Sequence, residues 1–215
     1  MLGIVAPPRC LGCGALAGGG LHERLCGRCR VALSAGPLTA GPLEGVAQVV
    51  AAAFYSGPAV RLIAGLKSGS TPAAAATMAE LLAEALAPPP PDSVLVPVGP
   101  AASRRLLRGL DPAQELALTL GQRLGLPVLP LIRRLDRRPQ RGRRREARLH
   151  DPPRFQVLGP PPMRALLVDD VLTTGGTLQA CAAALRAAGS ATVSAVVFAR
   201  TPRRGRPLRP TASED

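Results

Sequence analysis

Two carboxylates and a run of small hydroxylated residues follow directly on an apolar stretch in the C-terminal half of the chain. The segment reads Ala-Leu-Leu-Val-Asp-Asp-Val-Leu-Thr-Thr-Gly-Gly-Thr over residues 165–177. Its apolar start predicts a buried strand, and residues 177–188 predict a helix. A turn of threonine and glycine that enters a helix directs N–H groups and hydroxyls at one point, which suits a phosphate. The predicted phosphate-binding residues are Thr173, Thr174, Gly175, Gly176 and Thr177.

The two carboxylates, Asp169 and Asp170, require a different partner, because they would repel a phosphate unless they faced another group. A sugar cis-diol needs hydrogen-bond acceptors, and two carboxylates supply them. Their charge would also stabilise an oxocarbenium-like transition state. We therefore predict that Asp169 and Asp170 are catalytic and hold ribose hydroxyls. The alternative is an ordinary strand–turn–helix junction with two surface aspartates.

Four of the five cysteines form two Cys-x2-Cys pairs that are separated by twelve residues near the N-terminus. This spacing is typical of tetrahedral Zn²⁺ sites, and four protein ligands indicate a structural rather than a catalytic metal. An unmetallated thiol cluster is the alternative. His22 lies between the pairs and is expected at the surface. The predicted metal ligands are Cys10, Cys13, Cys26 and Cys29.

The composition limits the architecture and the partners. A length of 215 residues allows one medium α/β domain and a small accessory module. The formal charge of +13 indicates polyanionic partners, but the single lysine, the absence of asparagine and the many arginines also reflect a coding bias. No long apolar run predicts a membrane span, and residues 1–8 do not resemble a signal peptide. We therefore expect a cytoplasmic protein with reduced thiols.

Strand and helix patterns alternate along the chain and predict a mainly parallel sheet with helices on both faces. The predicted strands are 46–55, 93–98, 128–132, 164–168 and 192–199. The predicted helices are 58–66, 73–87, 112–124 with Asp111 as N-cap, and 177–188. The predicted divisions are a zinc-binding module at 1–36, a linker at 37–45, a main domain at 46–200 and a disordered basic tail at 201–215.

Three basic features lie outside the central segment. Lys67 is the one lysine of an arginine-using chain, so its chemistry favours a role beside a pyrophosphate, with a chance surface position as the alternative. Residues 96–100 follow a predicted strand and precede Arg104, Arg105 and Arg108, so they could form a second anion-binding loop or an ordinary proline-containing turn with a solvated basic face. The run 133–148 holds nine arginines and two acids and is predicted to be an exposed loop. It could bind nucleic acid, close over the site or be merely solvated, and it lacks stacking aromatics.

Together these features resemble the ComF family (ComFC-like, also GntX-like) of phosphoribosyltransferase-fold proteins. The resemblance runs from Cys10 to about Arg200. It rests on the cysteine pairs and on the segments Phe54–Gly57, Leu66–Gly69, Val96–Val98, Arg108–Gly109 and Asp169–Thr177, with Gln140, Gly142 and Arg148 in the arginine-rich run. The family commonly has Arg-Gly-Phe-Asn-Gln where this chain has residues 108–112, and a usual asparagine corresponds to Asp151.

The resemblance implies a type I phosphoribosyltransferase fold, 5-phosphoribosyl 1-pyrophosphate (PRPP) with Mg²⁺ as the ligand, and a role in DNA uptake or natural transformation. It also implies that Asp169–Thr177 is the PRPP loop, and we predict Lys67 and Arg104 as further PRPP-binding residues. The leading hypothesis is a phosphoribosyltransferase. A second is a non-catalytic competence factor that binds single-stranded DNA, and a third is a scaffold whose zinc module docks a DNA-uptake protein.

Overall fold

The computed structural model describes residues 9–17, 24–34, 36–39, 41–69, 71, 73–99, 111–135 and 153–202. Within these ranges, no helix is both long and apolar enough to cross a bilayer. The helices are α1 (Gly27–Leu33), α2 (Pro58–Ser68), α3 (Ala73–Ala85), α4 (Pro112–Leu124) and α5 (Gly176–Ala188). The strands are β1 (Leu38–Thr39), β2 (Val49–Phe54), β3 (Ser93–Pro97), β4 (Ile132–Leu135), β5 (Arg154–Val157), β6 (Arg164–Leu172) and β7 (Thr192–Arg200).

Five of the strands form the central sheet, in the order β1-β2-β7-β6-β3. Strands β2, β7, β6 and β3 run parallel, and the short β1 pairs antiparallel with β2 at the edge. Strands β4 and β5 form a separate antiparallel ribbon. The predicted fold class, an α/β protein with a parallel-rich sheet flanked by helices, is therefore confirmed.

The central strands are apolar along nearly their whole length because both faces of the sheet are covered. One face packs on α2, α3 and α4 around large side chains that include Leu62, Leu116 and Phe198. The other face packs on α5 and on the β4–β5 ribbon, with Leu167 and Leu185 fully buried. With few aromatic residues in the chain, Ala, Val and Leu fill most of both layers.

Residue-specific signals account for the ends of two helices. The Asp111 carboxylate accepts hydrogen bonds from the amides of Ala113 at 3.1 Å and Gln114 at 3.4 Å, so it caps α4 as predicted. The predicted stop of α5 is also confirmed, because Gly189 has a φ of 121° and its amide donates to the last turn of that helix.

Strand β6 is longer than its predicted range of 164–168. It pairs with β7 as far as Leu172 opposite Arg200, so both aspartates lie inside the strand. The pattern of apolar residues ends at Val168 and so could not predict this extension. The extension depends on backbone hydrogen bonds to β7, which form whatever side chains the strand carries.

Two predictions between α4 and β6 were wrong in part. Residues 128–132 do not form a strand; Val128 makes one isolated bridge to Leu95, and β4 begins only at Ile132. Arg133 and Arg134, predicted to open an exposed loop, lie in β4 because β5 supplies their hydrogen-bond partners. The remainder of the predicted loop, 136–148, lies outside the described residues.

The cysteine-rich segment packs against the main sheet and its helices. Cys10, Cys29 and Leu33 belong to the same apolar cluster as the cores of α2 and α3. Arg30 in α1 also makes ion pairs of 2.8 and 2.5 Å with two glutamates of α3, Glu80 and Glu84. The predicted boundaries at 36 and 45 remain predictions, and the tail beyond Pro202 lies outside the described residues.

Candidate functional site

The C-terminal ends of β3, β6 and β7 lie side by side at one end of the sheet. Open parallel sheets bind ligands at this end of their strands. At this edge β6 ends at Leu172, and residues 173–175 turn directly into α5. Gly175 is the N-cap of α5 and has a φ of 88°. This is a left-handed conformation that glycine adopts without steric cost. The predicted Thr-Thr-Gly-Gly-Thr turn therefore lies between the end of a central strand and the start of a helix.

The amides of residues 173–178 donate no hydrogen bond within the described part of the chain. The first hydrogen bond of α5 is donated by Gln179 to the carbonyl of Gly175, at 3.0 Å. Thr173 and Thr174 are exposed, and their hydroxyls also have no partner among the described residues. The turn thus presents several unused donors together with the positive end of a helix dipole.

Leu43 packs against this turn at its glycine. A Cβ atom built on residue 175 would lie 2.7 Å from Leu43 Cδ2 and 2.9 Å from Cδ1, which is too close. The backbone of Leu43 is itself held, because its carbonyl accepts a 3.1 Å hydrogen bond from the amide of Val46. The predicted linker therefore includes a side chain that contacts the predicted phosphate-binding turn.

A cleft of about 350 Å³ opens between residues 41–43 and the 173–175 turn. It lies above the C-terminal end of β7, with the predicted linker on one side and the end of β6 on the other. Its lining residues include threonines, an arginine and leucines. The lining residues are Gly41, Leu43, Leu172, Thr173, Thr174, Arg200 and Thr201.

Lys67 lies at the site, although it is distant in sequence. Its ammonium is 2.5 Å from Oδ2 of Asp170, and the two side chains are 45% and 13% exposed, respectively. That Oδ2 atom is buried, and the ammonium is its only partner among the described residues. Lys67 and Asp170, which the sequence predicts to bind the same phosphoribosyl ligand, are thus in contact.

Asp169 has a different environment from Asp170. Its Oδ1 accepts a 2.8 Å hydrogen bond from the amide of Asp170. Burial raises the pKa of Asp169 well above its usual range, and the neighbouring charge of Asp170 raises it further, against the smaller opposing effects of that amide and of Lys67. Burial and the charge of Asp169 also raise the pKa of Cys181 in α5. Asp169 therefore interacts with the α5 layer and Asp170 with the α2 layer.

The end of β3 lies beside the same site. Pro97 pairs with Val168 of β6, and the amide of Val98 donates to the Val168 carbonyl at 2.9 Å. The predicted second anion loop follows, but residues 100–110 lie outside the described residues. Arg104 therefore remains a predicted ligand-binding residue.

The four cysteines of the two pairs come together near the N-terminus. Their Sγ atoms all lie within 4.8 Å of one another, and those of Cys13 and Cys26 are 3.7 Å apart. Tetrahedral zinc–thiolate bonds of about 2.3 Å place two sulfurs about 3.8 Å apart. The donor set and its spacing therefore fit Zn²⁺.

The backbone around this cluster stabilises thiolate. The amide of Cys26 donates to Sγ of Cys10 at 3.2 Å. Burial raises the pKa of Cys10, but hydrogen bonds from this amide and from those of Cys13 and Gly12 outweigh it and lower the pKa to about 6. Burial and the neighbouring sulfurs raise the pKa of Cys29, which would be reversed by a cation at the centre of the cluster.

A comparison with known protein families matches the part of the chain that holds this site. Residues 108–214 match the family model of the phosphoribosyl transferase domain. The matched range includes β6, the 173–175 turn and α5. No curated protein matches the chain. The chain thus contains a phosphoribosyltransferase-type domain together with a four-cysteine cluster.

Sequence reasoning did not identify Leu43 and Arg200 as part of this site. Leu43 lies in a segment without strand or helix periodicity, and only the fold brings it to Gly175. Arg200 could have been noticed, because it ends the strand that follows the predicted turn and helix, and ligands bind where such strands end.

The close approach of Leu43 makes Gly175 sensitive to substitution. Gly175→Ala is expected to lower the free energy of unfolding by at least about 2 kcal/mol, from left-handed strain and from overlap with Leu43. Gly125→Ala is a matched control, because Gly125 has a φ of 67° and open space around it. That control should lose only about 1 kcal/mol in urea unfolding. Equal losses would contradict the contact with Leu43.

The raised pKa of Asp169 predicts a pH-dependent effect of its removal. An acid whose pKa is higher in the folded than in the unfolded state contributes stability at low pH, and this is lost as pH rises through the folded pKa. Asp169→Asn should therefore stabilise the protein relative to wild type, more at about pH 8 than at about pH 5. Urea unfolding at both values measures this, and Asp92→Asn controls for an exposed carboxylate. If the difference in unfolding free energy between Asp169→Asn and wild type is the same at both pH values, the raised pKa of Asp169 is contradicted.

Proposed function

We propose that the protein binds PRPP and acts as a phosphoribosyltransferase. The observation that carries this proposal is the 173–178 stretch of unpaired amides, which directly follows two aspartates in the matched domain. Such a stretch suits a phosphate, and adjacent carboxylates suit the hydroxyls of a sugar. The 5-phosphate would bind at Thr173–Thr177, and the ribose hydroxyls would bind at Asp169 and Asp170.

The proposed reaction breaks the bond between C1 of the ribose and its pyrophosphate oxygen, while an acceptor forms a bond to C1. Positive charge develops on the sugar during this exchange, and the carboxylate of Asp170 would stabilise it. Lys67 would neutralise pyrophosphate as it leaves. Its ammonium is half exposed, so it can move from Asp170 to a pyrophosphate oxygen without leaving a buried charge behind.

Mg²⁺ is proposed to enter the site with PRPP. Oδ2 of Asp170 is a buried carboxylate oxygen whose partner among the described residues is the Lys67 ammonium, and it fits the preference of Mg²⁺ for oxygen ligands once Lys67 moves to the pyrophosphate. When bound, the ion would supply positive charge to the pyrophosphate. Arg104 is proposed as a further cation on the same side, on the basis of its position after β3 in the sequence.

We further propose that the protein belongs to the ComF family and takes part in DNA uptake in the cytoplasm. Support comes from the sequence blocks that resemble this family, together with a cysteine cluster that precedes a phosphoribosyltransferase-type domain. Single-stranded DNA or a DNA-uptake protein would be the corresponding partner. In the same proposal, Cys10, Cys13, Cys26 and Cys29 hold a structural Zn²⁺.

Titration calorimetry with PRPP and Mg²⁺ tests the site. Wild type should bind, and Asp170→Asn should weaken binding by at least about tenfold, because a charged acceptor for the ribose is lost. Asp169→Asn should also weaken binding. Asp92→Asn removes an exposed carboxylate at the N-terminal end of the parallel strands, away from the site, so this variant should bind as wild type does. The proposal fails if wild type gives no heat with PRPP, or if both site variants bind PRPP as tightly as wild type does.

Metal analysis of the purified protein tests the cysteine cluster. One zinc per chain is expected, and Cys13→Ala should lose it because a tetrahedral site then lacks a ligand. Cys181→Ala is the matched control, since Cys181 is buried in α5 and should leave the zinc content unchanged. Chelation should lower the midpoint of thermal unfolding, because two of the ligands belong to the main core. Full zinc retention by Cys13→Ala would contradict the assignment.

A further inference from the structure

The last turn of α2 carries Lys67 and is held by several short contacts. Leu66 is buried in the core beside the sheet. The hydroxyl of Ser68 donates to the Gly65 carbonyl at 3.2 Å. The amide of Gly69 donates to the Leu66 carbonyl, also at 3.2 Å. The backbone on both sides of Lys67 is therefore fixed.

A close approach between Gly65 and Thr71 also shapes this turn. A Cβ atom built on residue 65 would lie 2.9 Å from Oγ1 of Thr71 and 3.0 Å from its Cβ, which leaves no room for a side chain. The Thr71 carbonyl accepts a 2.8 Å hydrogen bond from the amide of Ala74, so the threonine is anchored to the first turn of α3. Gly65 is thus a point at which the end of α2 packs against the start of α3.

The reach of Lys67 depends on where this turn lies. Its ammonium contacts the buried Oδ2 of Asp170, although nearly half of the lysine side chain is exposed. Holding a long, exposed side chain in one geometry costs conformational entropy, and an exposed ion pair gains little to offset that cost. A displaced turn would require a less favourable side-chain conformer for the same reach.

We propose that Gly65 and Thr71 are positioning residues, which place the end of α2 so that the Lys67 ammonium can reach both Asp170 and the pyrophosphate of the ligand. This inference rests on the proposed function and adds two residues that act through Lys67. The packing of Thr71 on Gly65 sets the distance between the two helices, and the bulk of a side chain at residue 65 would increase it.

The two ends of the phosphoribosyl ligand should therefore respond differently to a shift of α2. Helix α2 packs on one face of the sheet, whereas α5, which follows the turn assigned to the 5-phosphate, packs on the other face. A shift of α2 moves the cation assigned to the pyrophosphate and leaves the donors for the 5-phosphate in place.

The experiment measures the two ends separately. Calorimetry with Mg²⁺ gives the affinity for PRPP, and inorganic pyrophosphate and ribose 5-phosphate are tested as competitors. Gly65→Ala introduces the overlap with Thr71. Gly121→Ala is the matched control, because a Cβ atom at this position in α4 would lie 2.6 Å from Cγ2 of Val128, in a helix that does not carry Lys67. Urea unfolding gives the stability of each variant.

Gly65→Ala should weaken PRPP and pyrophosphate by at least about fivefold and ribose 5-phosphate by less than about twofold. Gly121→Ala should lose stability and yet bind all three ligands as wild type does. In Lys67→Met, which removes the ammonium, Gly65→Ala should cause no further loss, because both changes act on one interaction. Gly65→Ala/Thr71→Gly should regain pyrophosphate affinity, since the new methyl group occupies the space that the threonine vacates.

Pyrophosphate binding by Gly65→Ala that equals wild type would overturn the inference, as would an equal loss of ribose 5-phosphate. If Gly65→Ala does not fold, Thr71→Gly replaces it, because this variant loosens the turn without an overlap. It should weaken pyrophosphate by at least about twofold relative to ribose 5-phosphate, and an unchanged ratio would overturn the inference. If wild type does not bind PRPP at all, the proposed function itself fails.

Discussion

Unpaired backbone donors at the end of a buried strand are the feature on which the site depends. Peptide N–H groups that lack a partner are unfavourable unless water or an anion satisfies them, and the amides of residues 173–178 have no protein partner in the described part of the chain. The glycine at 175 permits the turn, and Leu43 holds it from outside. The site is thus arranged around donors that a ligand would complete.

The two aspartates create an opposing constraint, because negative charge beside these donors would repel the same anion. Each carboxylate is compensated differently. Asp170 is paired with the ammonium of Lys67, and Asp169 is partly buried beside a like charge, so that its protonated form is favoured. The local field is therefore less negative than the sequence suggests, and a phosphate and a sugar can bind next to each other.

The parts of the site that the sequence predicted are local ones. The strand, the turn and α5 follow from one continuous segment, and the cysteine pairs follow from their spacing. Lys67 was noticed as an unusual residue, but its contact with Asp170 depends on how α2 packs on the sheet. Leu43 carries no local signal of its own, because it lies in a segment without periodicity and only the fold brings it to the turn. The extension of β6 to Leu172 likewise depends on pairing with β7.

The contact between Leu43 and Gly175 also limits how far the chain can be truncated from its N-terminal side without disturbing the turn. Leu43 lies in the segment between the cysteine cluster and β2, and it fills space beside the glycine of the turn. Any shortening of the chain that extends past this residue would remove one wall of the cleft and uncover the turn. A substitution at either residue therefore changes the packing of the other, even though the two are far apart in sequence.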